Sequence, residues 1–256
     1  MRIDLHTHSS ESDGTDPVPG LLAAASAAGL DVVALTDHDT TAGWSAAQDS
    51  RPPGLTVVPG VELSCASPVG DGPPIGVHLL GYLIDPGHEG LRAEMARLRE
   101  ARVDRAAQMV GRMAEAGLPV DWPTVRAIAG TAPVGRPHMA LALVRAGWAA
   151  TVTEAFERYL HHTSPYYVRK HDTNVADAVS LVRAAGGVPV LAHPLARRRG
   201  RVVGDDVLAD LVDVGLLGLE VDHPDHDADD RVHLRGLAAE LGLICTGASD
   251  YHGTNK

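Results

Sequence analysis

The sequence predicts an α/β protein, a parallel sheet or barrel carrying an inserted helical segment, and three observations support this. Short apolar runs recur along the chain, helix-type patterns separate them, and the alternation lapses over one long central stretch. At 256 residues the chain fits one large domain, or one domain with an insertion.

The apolar runs give seven candidate strands: Arg2 to Leu5, Asp31 to Leu35, Leu55 to Val61, Ile75 to Leu80, Gly187 to Ala192, Leu216 to Val221 and Leu243 to Thr246. Between them lie helix starts at Asp16-Pro17 and Asn174, and stops at Gly29 and Gly186-Gly187. From about Gly87 to Lys170 no strand pattern occurs. A long helix studded with Arg and Glu runs from Glu89 to Ala116 and stops at Gly117-Leu118-Pro119; shorter helical patterns follow Asp121, Pro137 and Thr151. The expected organisation is therefore a barrel domain over 1–86 and 171–256, with a helical subdomain over 87–170. The chain runs only four residues past His252, short of a closing barrel helix.

Composition narrows the function classes. The 22 Lys and Arg against 33 Asp and Glu give a net charge of −11, which disfavours nonspecific coating of nucleic acid. Apolar stretches are broken at Ser26, Gly29 and Asp31, well short of the roughly 20 residues of a membrane span. The opening Met1-Arg2-Ile3-Asp4-Leu5-His6 places an acid and a histidine where a signal peptide is apolar, so the expectation is a cytoplasmic protein. Cys65 and Cys245 match no zinc or redox spacing and read as reduced, buried thiols. The basic tract Arg197-Arg198-Arg199-Gly200-Arg201 reads as a solvated loop, with a phosphate-facing loop as the alternative.

Histidine is the outlier: 14 of them, against nine Phe, Trp and Tyr. At or just after the predicted strand ends stand His6 and His8, Asp37-His38-Asp39, Glu62, His78, His193, Asp222-His223, Asp250 and His252. In a parallel barrel such positions converge at one face. Imidazole and carboxylate together are ligands for divalent zinc, manganese or iron. The spacing of His6-Thr7-His8 points both rings the same way from an extended segment. His88, His161, His162, His171, His226 and His233 follow no strand and read as surface residues, with His223 intermediate.

These residues carry a resemblance. Asp4-Leu5-His6-Thr7-His8-Ser9, Asp13-Gly14, Leu35-Thr36-Asp37-His38-Asp39, Pro59-Gly60-Val61-Glu62, Val77-His78-Leu79-Leu80-Gly81-Tyr82, Leu191-Ala192-His193-Pro194 and Ser249-Asp250-Tyr251-His252-Gly253 together resemble the PHP (polymerase and histidinol phosphatase) family. The resemblance implies a distorted (β/α)7 TIM-like barrel with two or three divalent metals. By motif position, His6, His8, Glu62 and Asp250 would hold one ion; a bridging Glu62 with His78 and His193 would hold a second; Asp13, His38 and His252 would hold a third. Many family members have histidine where Asp13 stands, and the acid is similar to a nucleotide-phosphatase subgroup.

The chemistry of the residues agrees. Three carboxylates against two or three divalent cations leave a net positive cluster that favours a phosphate ester, and a water bridging two metals becomes the nucleophile as hydroxide. Arg136, in Gly135-Arg136-Pro137-His138, offers a planar fork for phosphate, though alone it reads as a surface helix-start residue. That segment, with Phe156 to Leu160 and Tyr166-Tyr167-Val168, resembles the insertion of PHP phosphatases acting on nucleoside 3′,5′-bisphosphates and 5′-ends of short RNA. The resemblance thus implies Arg136 and His138 as substrate contacts, with Arg158 and Arg169 behind them.

The expected substrate is a small phosphorylated nucleotide, with hydrolysis at the 3′-phosphate of a 3′,5′-bisphosphate, or a short RNA end. Histidinol-phosphate phosphatase is the nearest alternative; a noncatalytic metal-binding or polymerase-associated module is another. An amidohydrolase would use a strand-end lysine to bridge its metals, and the chain's two lysines, Lys170 and Lys256, end no strand, whereas Glu62 occupies a bridging position. Asp37, Asp39 and Tyr251 are open as acids for the leaving group.

Overall fold

A computed structural model describes residues 1–70, 72–130, 134–169 and 171–255. Lys170 and Lys256, the lysines weighed above, lie outside the described residues. Two compact units emerge, one formed by 1–96 with 172–256 and the other by 97–171.

The first unit is a distorted TIM-like barrel. Its strands are β1 (Ile3–Thr7), β2 (Val32–Leu35), β3 (Thr56–Val69), β4 (Gly72–Tyr82), β5 (Thr173–Asn174), β6 (Val188–Ala192), β7 (Gly218–Asp222) and β8 (Ile244–Gly247). The sheet runs in the order β1-β2-β3-β4-β6-β7-β8, with the two-residue β5 alongside β3. All seven strands expected from sequence lie on that path. A bridge from Thr7 to Tyr251, and the Ser249 N–H and hydroxyl donating to Asp4, bring the end of the chain back to β1, so the sheet nearly closes.

Two features depart from the alternating pattern. β3 continues eight residues beyond the expected Val61, because its polar residues alternate with apolar ones rather than ending the strand: Val61, Leu63 and Cys65 enter the outer core, while Glu62 and Ser64 take the other face. β4 follows almost at once, with Val69 paired to Gly72, and too few residues intervene for a crossover helix. It therefore runs antiparallel to both β3 and β6, which sets His78, in mid-strand, opposite Ala192 at the end of β6. Glu62 and His78 are thus not strand-end residues, yet both face the rim where the parallel strands end.

Among the described residues the α-helices are α1 (Val18–Ala27), α2 (Trp44–Asp49), α3 (Glu89–Glu115), α4 (Trp122–Ala129), α5 (Arg136–Arg145), α6 (Val152–Ala155), α7 (Val175–Ala184), α8 (Asp205–Asp213) and α9 (Ala228–Leu241). Leu79, Leu191 and Leu219 pack outward against Val179 and Val182 of α7, Leu208 of α8 and Leu234 of α9. Inside the barrel, Ala34, Leu80, Tyr82, Val190 and Ala192 form a small apolar plug. Cys65 is buried as expected, but Cys245 is exposed, as is its neighbour Ile244 on β8. The expected burial of Cys245 fails because neither it nor Ile244 joins the apolar core that α7, α8 and α9 form on the sheet. No described helix is long and apolar enough to cross a membrane.

The second unit, Arg97–His171, is helical and has its own core. The Asp121 side chain caps α4 by accepting from the Thr124 N–H at 2.7 Å, and the Thr151 hydroxyl caps α6 by accepting from the Glu154 N–H. Met109, Met113, Val125, Met139, Leu143 and Leu160 are its apolar centre. Leu143→Ala, at a fully buried position, is expected to cost about 2–5 kcal/mol of that unit's stability, read from the denaturant midpoint. A cost below about 1 kcal/mol would mean that the unit has no close-packed core at this position.

Candidate metal centre

The centre forms where the strand ends of the first unit meet. β1 supplies His6 directly and positions His8 just beyond, and the alternation of the extended chain sends Asp4, His6 and His8 to one side. Both histidines are fully buried, with their Nε2 atoms 3.0 Å apart. Glu62 on β3 is the hub. Its Oε2 lies 3.1 Å from His6 Nε2, His8 Nε2 and His38 Nδ1, and its Oε1 lies 2.6 Å from His78 Nδ1 and 3.1 Å from His193 Nε2.

Two further carboxylates complete the cluster. Asp250 Oδ1 stands 3.5 Å from His6 Nε2, His8 Nε2 and His252 Nδ1. Asp13 reaches His252 Nε2 at 3.4 Å, His38 Nε2 at 3.7 Å and His8 Nδ1 at 3.8 Å. The fold therefore gathers all nine residues singled out in the sequence as ligand types. Donor atoms of eight of them fall into overlapping sets, each within 4.8 Å: His8, Asp13, His38 and His252; His6, His8 and Asp250; His38, Glu62 and His78; the ninth, His193, meets the cluster through Glu62. His8 and His38 are shared between sets, so the grouping differs from the motif-based one, which placed each in one set.

The donor set fits divalent cations. Five ring nitrogens converge on one carboxylate that is 1 % exposed, and two imidazole nitrogens face each other at hydrogen-bond distance. Hydrogen bonding alone satisfies this poorly, since each nitrogen would need a proton and His6 Nε2 and His8 Nε2 cannot both donate to one another. Inward-facing lone pairs of imidazole and carboxylate are what zinc, manganese or iron take.

The electrostatics follow from burial and proximity. Burial raises the Glu62 carboxyl, but His6, His38 and His78 outweigh it and hold the group well below the usual carboxylate range. Asp13 and Asp250 are lowered in the same way, against burial, by His38 and His252 for the first and by His223 and His8 for the second. Burial lowers His8, yet its bonds to Asp250 and Glu62 raise it to about 9; burial and then the Arg199 charge push His193 down to about 3. The carboxylates are ionised at neutral pH and ready to meet cations. Asp250 and His193 also hold left-handed backbone angles, φ +53° and +29°, the local strain common at sites whose surroundings dictate the geometry.

The other sequence candidates are engaged elsewhere. Asp37 accepts from the Ser9 N–H and hydroxyl and from the Ser12 hydroxyl at 2.6–2.8 Å; Asp39 accepts from the Ser64 N–H and hydroxyl at 2.8 Å; Tyr251 donates to Asp16 at 2.7 Å. Arg136 and His138 lie in the second unit at the start of α5. The Arg136 guanidinium stands 5.5 Å from the Phe156 ring centre and 6.0 Å from that of Tyr167, and donates to the Leu160 carbonyl; His138 Nδ1 accepts from the Gly135 N–H.

Some residues of the site were not assigned to it from the sequence, in which His223 read as intermediate. His223 is buried, with Nε2 3.3 Å from Asp250 Oδ2. Arg199 is no purely solvated residue of its tract: it bonds Asp250, Asp225 and His193 Nε2. Glu220 on β7 is fully buried against His6 and His193; its signal was a lone carboxylate within the apolar run Leu219-Glu220-Val221. His226, expected at the surface, is buried because the β7–α9 loop folds back, so that its ring meets the Leu195 N–H and the Val221 carbonyl.

Comparison with known proteins adds independent findings. The family profile described as PHP domain matches residues 4–120. A phosphoribosyl 1,2-cyclic phosphate 1,2-diphosphodiesterase of Eggerthella lenta is 35% identical over 99% of this chain and 95% of its own length. A 3′,5′-nucleoside bisphosphate phosphatase of Chromobacterium violaceum is 34% identical over 98% and 87%. A 5′-3′ exoribonuclease of Haemophilus influenzae is 31% identical over 98% and 90%. The crystal structure of a Bifidobacterium adolescentis protein described as a putative metal-dependent phosphoesterase superposes with a TM-score of 0.92 at 35% identity, over 100% of this chain and 89% of that one.

Proposed function

The chain belongs to the PHP domain family and is a metal-dependent phosphoesterase, and from that premise we propose that it removes the 3′-phosphate of nucleoside 3′,5′-bisphosphates. The observation that carries the chemistry is Glu62, one buried carboxylate facing five imidazole nitrogens. The similarity to the Chromobacterium violaceum phosphatase supports the choice of substrate.

In this reading His6, His8, Asp13, His38, Glu62, His78, His193, Asp250 and His252 hold two or three divalent ions, of manganese, zinc or iron. Such ions supply Lewis acidity, neutralising charge on phosphoryl oxygens and acidifying water. The chain's own part is positioning. The buried rings and carboxylates keep bulk water from the donor atoms, and the ionised state of Glu62, Asp13 and Asp250 gives cations a charged seat. Arg136 binds the substrate's second phosphate, its planar fork held by Phe156, Tyr167 and the Leu160 carbonyl, and His138 stands beside it at the first turn of α5.

A second reading, cleavage of a phosphoribosyl cyclic phosphate, is favoured by the 35% identity to the Eggerthella lenta enzyme. Turnover by manganese-reconstituted protein of 3′,5′-bisphosphoadenosine, 5′-AMP, histidinol phosphate, a ribosyl 1,2-cyclic phosphate and a 5′-phosphorylated RNA separates these, read as phosphate from the monoesters, ring-opened product from the cyclic phosphate and mononucleotide from the RNA. The bisphosphate is expected to react fastest. Arg136→Ala should then lower kcat/KM for it about tenfold, the worth of one charge-assisted contact of about 1.5 kcal/mol, with metal content unchanged. Fastest turnover of the cyclic phosphate, or an Arg136→Ala variant equal to the parent, would overturn the substrate assignment.

A further inference from the structure

We propose that Glu220 is a positioning residue that fixes two metal-ligating histidines at once, setting the tautomer of His6 and holding the turn that presents His193. The inference rests on reading the cluster as a metal centre.

β7 alternates in the usual way: Leu219 and Val221 enter the outer core, while Glu220, also without exposed surface, takes the opposite face. Each of its oxygens has one task. Oε1 lies 3.0 Å from His6 Nδ1, and Oε2 accepts from the His193 backbone N–H at 2.8 Å. A buried carboxylate can only accept, so His6 must carry its proton on Nδ1, which leaves the lone pair of Nε2 toward Glu62 and His8. The second bond acts on backbone: His193 sits at φ +29°, a conformation that L residues rarely adopt, and the Glu220 bond to its N–H stabilises that turn. The two rings so positioned stack nearly parallel, 5.8 Å between centroids and 17° between planes.

Both tasks require an acceptor. Glutamine has nearly the same shape but offers one acceptor and one donor, so one partner must lose its bond. If the amide nitrogen faces His6, Nδ1 gives up its proton, and Nε2 becomes an N–H aimed at the cluster. If it faces His193, two N–H groups oppose and the turn loosens. Either way ligation weakens while the packing of β7 is kept.

The test is manganese affinity of the full chain, measured by equilibrium dialysis, for the parent, Glu220→Gln and Glu220→Asp. Glu220→Gln is expected to lose about 10–100-fold in affinity, the usual effect of removing a residue that orients a metal ligand. Glu220→Asp keeps two acceptors and should recover part of that loss. Parent-like affinity in Glu220→Gln, or an Asp variant weaker than the Gln variant, would overturn the proposal.

A second measurement needs neither metal nor a folded variant. In the parent labelled with ¹⁵N-histidine, NMR should show a proton on His6 Nδ1 protected from exchange, and an unprotonated Nδ1 would refute the assignment. Absence of manganese binding in the parent would sink the metal reading of the cluster, while this spectrum would still decide the role of Glu220.

Discussion

Glu62→Ala is expected to lower phosphoester hydrolysis by about 10³-fold or more and to abolish tight metal retention, while leaving the barrel folded. The carboxylate lies within 3.1 Å of a nitrogen of His6, His8, His38, His78 and His193, which come from β1 and the residue after it, the loop after β2, β4 and the end of β6. The neighbouring acids are already engaged: Asp37 and Asp39 accept serine bonds, and Asp250 and Asp13 each make a contact of their own with His252. Charge neutralisation by bound cations contributes several kcal/mol to a phosphoryl transition state. At about 1.4 kcal/mol per tenfold, a loss of about 4 kcal/mol is a factor of 10³.

The fold should survive, since the position's sheet bonds are made by backbone: the Glu62 carbonyl accepts from the Asp39 N–H, and its own N–H donates to the Asp37 carbonyl. Phosphate release, bound metal by elemental analysis and the metal-dependent gain in Tm check the three parts together, because a ligand that binds only the native state raises its stability. A variant that keeps activity within tenfold of the parent would remove Glu62 from the centre of the mechanism.

Much of this site is legible in the sequence because its ligand types sit at or near strand ends, where apolar runs give way to His and Asp. His6-Thr7-His8 and Asp37-His38-Asp39 are visible for that reason. Glu62 and His78 were found for a reason that is only half right: neither ends its strand, and only the antiparallel β4 brings His78 to the rim. Residues that act from within an apolar run escape such a reading. Glu220 looks like an interruption of β7 until its partners on β1 and β6 are known.

Loops mislead toward exposure. Arg199 reads as solvated because three arginines in a row have no apolar period, yet its ion pairs with Asp225 and Asp250 fold it inward, while Arg197 pairs with Asp230. His226 reads as exposed because no strand precedes it directly, although a backbone N–H and a carbonyl from two segments satisfy its ring. Composition and periodicity report which face a residue takes within an element; they say nothing of which distant backbone group waits there.

Gly14→Ala is the second variant expected to have a large effect, and it reaches the site through backbone alone. A Cβ at this position would stand 2.3 Å from the His8 carbonyl oxygen and 2.7 Å from its carbon, against the roughly 3.5 Å of ordinary contact. Neither atom belongs to a side chain that could turn away. The loop must therefore retreat by about 1 Å, and it carries Asp13, the carboxylate shared by His8, His38 and His252.

Its other end is pinned. The Gly14 N–H donates to the Ser9 carbonyl, and the next N–H, of Thr15, donates to the His252 carbonyl, so the shift cannot be absorbed at once on either side. A displacement of about 1 Å in a group that positions reacting parts can cost about 10²-fold in rate, and that is the loss expected here. The remaining ligand sets, His6 with Asp250 and Glu62 with His78, do not include this loop, so the variant should still bind metal, with its weakest-bound ion removed first. Titrating manganese while following both bound metal and rate tests this. A rate restored to the parental value at saturating metal would show that Asp13 only recruits an ion, and an unchanged rate at all concentrations would show that the loop yields without moving Asp13.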